Sequence, residues 1–71
     1  MELFNNHVKL LRMEQAITQK QAAKEFGVTE ATWQRYESNR LPSIRNCIAL
    51  ADYFDVSLDY LLGRSEHRSV L

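Results

Sequence analysis

The chain is poor in everything that breaks, staples or charges a backbone. One proline and two glycines (Pro42, Gly27 and Gly63) punctuate 71 residues, so turns must be few and the elements between them continuous. A single cysteine, Cys47, excludes an internal disulfide and cannot complete a metal site by itself, and it gives no sign of an oxidising compartment. Net charge is absent too: nine Lys and Arg balance nine Asp and Glu, which argues against a general basic coat for nucleic acid. No apolar run approaches the roughly 18 residues of a membrane span. The first residues, "MELFNNHVKLLR", lack the charged start and apolar stretch of a secretory signal. The expectation is a soluble, cytoplasmic protein with no membrane partner.

What is present is ordinary globular composition, 45% hydrophobic and 25% charged, enough for one small domain near the lower limit at which a core holds unaided. The charge is balanced but uneven. Residues 1–46 hold seven Lys/Arg against five Asp/Glu, and residues 47–71 hold two against four. A polyanion would be met by the first two thirds, although so small a difference also arises by chance.

Apolar periodicity is helical throughout, and no stretch alternates as a strand should. The spacing predicts a first helix over about 3–14 with Phe4, Val8 and Leu11 as its inner stripe, and with Leu3 and Leu10 on another flank. Thr18 with Gln21 three residues on is a capping-box signature. It opens a brief second helix over about 19–26 that ends at Gly27, where a left-handed cap is easiest. Thr29 caps a third helix running to about Ser38, with Trp33 and Tyr36 inward, and Asn39 is expected to take a left-handed conformation at its end. Ser43 caps a fourth helix over 44–54 that turns Ile44, Cys47, Ile48, Ala51 and Phe54 inward. Ser57 caps a last short helix, "LDYLLG", with Asp59 near its positive end. The domain is expected to cover residues 1–64, and the tail 65–71 to fray.

The connection between the second and third helices carries the information. Two helices meeting steeply across a short turn must approach closely. Ala23, with Ala22 beside it, supplies the small contact, Gly27 the positive φ and Val28 the buried anchor. Trp33 and Tyr36 pin one face of the third helix, which leaves Glu30, Ala31, Thr32, Gln34 and Arg35 free. A rigidly held helix with short, hydrogen-bonding side chains at its N-terminal end has the shape that enters a DNA major groove.

In this respect the chain resembles the lambda-type repressor helix-turn-helix family, the Cro/C1-type or XRE-like domains. The resemblance covers about residues 4–62 and rests on five blocks in order: "LLR", "TQKQAAKEFGV", "TEATWQRYE", "LPSI" and "LADYFDVSLDYLL". It implies an all-α fold of five helices, a lambda-repressor-like DNA-binding domain with the helix-turn-helix at helices two and three. It further implies that Gln19 hydrogen-bonds a phosphate and braces the recognition helix, and that Thr29, Glu30, Ala31, Thr32, Gln34 and Arg35 face base edges or nearby phosphates. Lys20 joins the phosphate contacts, Asn39 and Arg40 match the loop that grips the DNA backbone, and Arg12 with Glu37 match a partly buried ion pair between helices one and three. Two positions depart from the family pattern. Trp33 replaces a branched aliphatic, which would push the third helix outward or tilt it, and Asn39 replaces a glycine. Glu30 is repelled by phosphate unless it accepts from a cytosine amine or braces Arg35 or Lys20. Arg35, with its bidentate fork, is the best candidate for reading guanine.

No enzyme motif is present, so no catalytic residues, cofactor or metal are expected. Trp33 reads as core rather than as a ligand platform, Cys47 as a buried thiol, and His7 and His67 as solvated. Lys9 and Lys24 are either a phosphate-facing pair or a wetted face. The expected function is sequence-specific binding of double-stranded DNA by a homodimeric repressor. The dimer surface would be Leu58, Leu62, Val70 and Leu71, or the Leu3/Leu10 flank. An alternative is an antitoxin or other regulator with a protein partner and secondary DNA binding.

Overall fold

The structure, a computed structural model, describes residues 2–69. Those residues form five helices and no strand: α1 (Glu2–Glu14), α2 (Gln19–Phe26), α3 (Glu30–Tyr36), α4 (Ile44–Phe54) and α5 (Leu58–Leu61). Local chemistry sets the starts. The Thr18 hydroxyl accepts the Gln21 N–H while the Gln21 side chain accepts the Thr18 N–H, a complete capping box, and each member satisfies an otherwise orphaned amide. Thr29, Ser43 and Ser57 cap α3, α4 and α5 through their own hydroxyls.

The ends are set differently. Gly27 takes φ 91° and returns its N–H to Ala23. A Cβ there would meet no heavy atom within 4 Å, so only backbone strain opposes a side chain. Gly27→Ala is therefore expected to cost about 1 kcal/mol, measured as a lower urea midpoint with an unchanged slope.

Asn39 is not left-handed, contrary to expectation; the non-glycine residues with positive φ are Ala16 and Asp55, at 57° and 56°. The reason lies in how α3 finishes. Its last carbonyls are taken by a run of turns in which the Ser38, Asn39 and Arg40 amides all donate to Arg35 O. The buried Asn5 amide then donates to Tyr36 O at 2.7 Å and Arg40 O at 3.0 Å. With these carbonyls satisfied from outside the helix, no left-handed cap is needed.

The core gathers Phe4, Val8 and Leu11 of α1, the two alanines of α2, Trp33 and Tyr36 of α3, one face of α4, and Val56, Tyr60 and Leu61. Around Trp33 the aromatic rings of Phe26, Tyr36, Tyr53 and Phe54 lie with centroids 5.9–6.2 Å away, steeply inclined to it, the geometry that ring quadrupoles favour. On α4 the inward face is Cys47, Leu50, Ala51 and Phe54; Ile44 and Ile48 are 64% and 47% exposed, which corrects the expected stripe. Burial pushes the Cys47 thiol above its ordinary pKa.

His7 is not solvated. It is half-buried between α1 and α5, stacked on Tyr60 with centroids 4.4 Å apart, and its Nδ1 lies 3.3 Å from Leu61 O. His67 is exposed. The segment after α5 carries no helix but is held on the domain. Arg68 forms a two-pronged ion pair with Glu14 and covers the Tyr60 ring, while the carbonyls of Arg68 and His67 accept the Ser57 N–H and hydroxyl. Val70 and Leu71, expected dimer contacts, lie outside the described residues.

Candidate nucleic-acid interface

The α2–α3 unit is built around one carboxylate. Glu37, whose side chain is 3% exposed, accepts from Arg12 Nε at 2.6 Å, Arg12 Nη2 at 3.2 Å, Gln19 Nε2 at 3.0 Å and Trp33 Nε1 at 2.5 Å. Arg12 also donates to Ile17 O at 2.8 Å. Three helices and the turn before α2 are thus tied to the C-terminal end of α3. Burial would raise the Glu37 pKa, but the hydrogen bonds from Arg12, Gln19 and Trp33 outweigh it and hold the carboxyl below its ordinary range. No buried side-chain nitrogen or oxygen is left without a partner among the described residues, so the hub is fully satisfied.

The outer side of α3 is correspondingly bare. Glu30, Ala31, Gln34 and Arg35 are exposed, and at helical spacing they share an arc of about 140° opposite Trp33 and Tyr36. Glu30 makes no ion pair with Arg35 or Lys20; the pairs among the described residues are Arg12–Glu37, Arg64–Asp59 and Arg68–Glu14. Bracing is therefore not how that carboxylate is accommodated. Thr29 spends its hydroxyl on the helix, accepting Thr32 N–H at 3.1 Å and donating to Thr32 Oγ1 at 2.9 Å.

Gln19 turns its amide nitrogen inward to Glu37. Lys20 and Lys24 are exposed on α2, Asn39 and Arg40 in the loop that follows α3, and Lys9 on α1.

Two residues that matter here were not anticipated from sequence. Asn5 anchors the end of α3, and the indole N–H of Trp33 completes the Glu37 hub. A signal for the first exists: Asn5 and Arg12 are seven apart, a polar line flanking the Phe4–Val8–Leu11 stripe. Among the described residues no cluster of three or more His, Cys, Asp or Glu could hold a metal ion, and no helix is long and apolar enough to cross a membrane.

A helix-turn-helix family model matches residues 8–61. The chain is 32% identical over 69 residues to YqaE of Bacillus subtilis (strain 168), named an uncharacterized HTH-type transcriptional regulator, covering 96% of this chain and 60% of that protein. It is 40% identical over 48 residues to the cryptic phage CTXphi transcriptional repressor RstR of Vibrio cholerae, covering 66% of this chain and 43% of that one. A second B. subtilis HTH-type regulator, YobD, is 28% identical over 65 residues, or 90% and 58% of the two chains. The chain thus spans roughly half the length of the curated relatives it matches. No solved structure matches it.

Proposed function

Because this chain belongs to the helix-turn-helix family of Cro/C1-type transcriptional regulators, we propose that it binds double-stranded DNA sequence-specifically, with α3 in the major groove. The observation that carries this reading is the contrast between the two sides of α3. The inner side is held by a buried ring and a four-bonded carboxylate, while the outer side presents Gln34 and Arg35 with no side-chain partner. A planar donor fork carried on a helix that is already fixed has only its own side-chain freedom to lose on meeting a guanine edge.

Phosphate contacts follow from what the caps leave over. At the start of α2 the capping box uses the Thr18 and Gln21 amides, so the Gln19 and Lys20 N–H groups are the ones left for a phosphate, helped by the Lys20 ammonium. The Gln19 side chain acts as the brace. Asn39 and Arg40 grip the next phosphate from the loop that Asn5 anchors, and Thr29, Thr32, Glu30 and Ala31 lie against bases or sugar. So short a helix reads few base pairs, so a dimer on an inverted repeat, one helical turn between half-sites, supplies the selectivity. Similarity to a phage repressor supports repression as the outcome, and the site of action is wherever the cell keeps its DNA.

Arg35→Ala is expected to cost about 1–3 kcal/mol of affinity and to relax preference at one base position. Lys20→Ala should weaken all sequences alike and lower the salt slope by about 1. Both are read by fluorescence anisotropy at several salt concentrations, on sites selected from random DNA. One observation favours a second reading, a regulator that masks another protein: Glu30 stands unpaired on the bare face, at the start of α3, on a chain of zero net charge. Salt-independent affinity, no effect of Arg35→Ala and a co-purifying protein partner would together replace the DNA reading with that one.

A further inference from the structure

We propose that the exposed apolar stripe of α4 is the two-fold interface with a second copy of this chain. The proposal deepens the DNA-binding reading by naming the surface of its dimer. Isolated exposed aliphatics need no explanation, but three stand together here. Ile44 and Ile48, one turn apart, are 64% and 47% exposed, and Leu41, just before the helix, is 45% exposed. Each could have been a core position, as their spacing with Cys47 and Ala51 suggests, yet the fold turns them out.

The charges beside the stripe choose the occupant. Arg45 and Asp52 are exposed on the same helix and share with Ile44 and Ile48 an arc of about 100°. They sit on either side of Ile48, about 10 Å apart along the axis. This pattern is complementary to itself when reversed. If two copies of α4 pack antiparallel about an axis near Ile48, each Arg45 meets Asp52 of the partner subunit, the isoleucines fill the centre, and the helix dipoles oppose favourably. Neither residue is committed elsewhere, since none of the ion pairs or side-chain hydrogen bonds of the described residues uses them.

The other apolar surfaces lack this match. On the Leu3/Leu10 flank the nearby Glu14 is already tied to Arg68. Leu58 and Leu62 are packed against the core.

Placement agrees with the DNA reading. Only the loop 37–43 separates α3 from α4, so the stripe follows the reading helix after one short connection. Half-sites one turn apart require each α3 to lie about 17 Å from the dyad, a distance that fits within a domain measuring 30 × 22 × 19 Å. Three aliphatic side chains make less than the roughly 1,200 Å² of a stable interface, so the free dimer is weak and is completed on DNA.

The test is sedimentation equilibrium of the full chain, without DNA, up to millimolar concentration, with circular dichroism to verify folding. Ile48→Glu should weaken the dimer at least tenfold. Arg45→Glu and Asp52→Arg should each weaken it when alone, because like charges then face each other. An equimolar mixture of those two variants should dimerise again, because both cross-pairs become attractive. A monomeric wild type, a mixture no more associated than its components, or a dimer indifferent to Ile48→Glu but broken by Leu10→Glu overturns the proposal. None of these readings involves DNA. A chain that dimerises as described but binds no duplex would instead sink the DNA reading and leave the interface standing.

Discussion

Trp33→Ala is expected to leave the domain largely unfolded at physiological temperature. The ring is fully buried, with four aromatic neighbours, and removing a large aromatic from such a site costs about 3–5 kcal/mol. The whole domain holds only about 4–10 kcal/mol at this length. The loss also takes a hydrogen bond from Glu37. Trp33→Phe separates the two contributions, since it keeps most of the packing and removes only the N–H, at a cost of about 1–2 kcal/mol. Urea denaturation followed by far-ultraviolet circular dichroism reads both, because neither variant retains a tryptophan for fluorescence. Equal stability of the two variants would show that the indole serves mainly as a hydrogen-bond donor and not as a core pillar.

The second large effect concerns the ion pair. Arg12→Met should destabilise by about 3–5 kcal/mol, because it strands a nearly inaccessible carboxylate. Glu37→Leu strands the guanidinium in the same way. The double variant, Arg12→Met with Glu37→Leu, should be more stable than either single one, since an apolar pair has no charge to leave uncompensated. Thermal unfolding of the four proteins forms the cycle, and simple additivity would contradict the buried-pair account.

Acid has a related effect. Glu37 has its folded pKa held below the ordinary 4.5, so it binds its proton less readily folded than unfolded. The stability it contributes is complete above about pH 4.5 and is lost as pH falls through the lower folded value. Wild type should therefore lose melting temperature in that acid window, and Glu37→Gln should lack this part of the loss. Because the hub holds α3, DNA affinity should fall in the same window.

Much of the fold was legible because it is written in short-range chemistry. The caps at Thr18, Thr29, Ser43 and Ser57 need only residues within three positions, and Gly27 needs only its own missing Cβ. Helix bounds followed to within two residues, with α3 ending at Tyr36 and not Ser38. The α4 face was read wrongly for a definite reason. Apolar residues at 44, 47, 48, 50, 51 and 54 spread over an arc of about 160°, wider than the stripe of about 100° that one packed face needs, so periodicity cannot say which part is covered. The position of α1, α3 and α5 decides that Leu50 is buried and Ile48 is not.

What the amino-acid order determines by itself is therefore the set of helices, their starts, the tight α2–α3 turn and the bareness of one side of α3. These depend on contacts a few residues long, whose geometry is the same in any chain. Tertiary structure alone decided that Asn5 closes the end of α3 and that His7 lies on Tyr60; the meeting of Gln19 and Arg12 with Glu37, 18 and 25 residues away, was expected only through the family resemblance. Tertiary structure also left the isoleucines of α4 facing water. Such meetings depend on how helices cross, and a crossing is settled by all the packed side chains together, so no local stretch of sequence carries it.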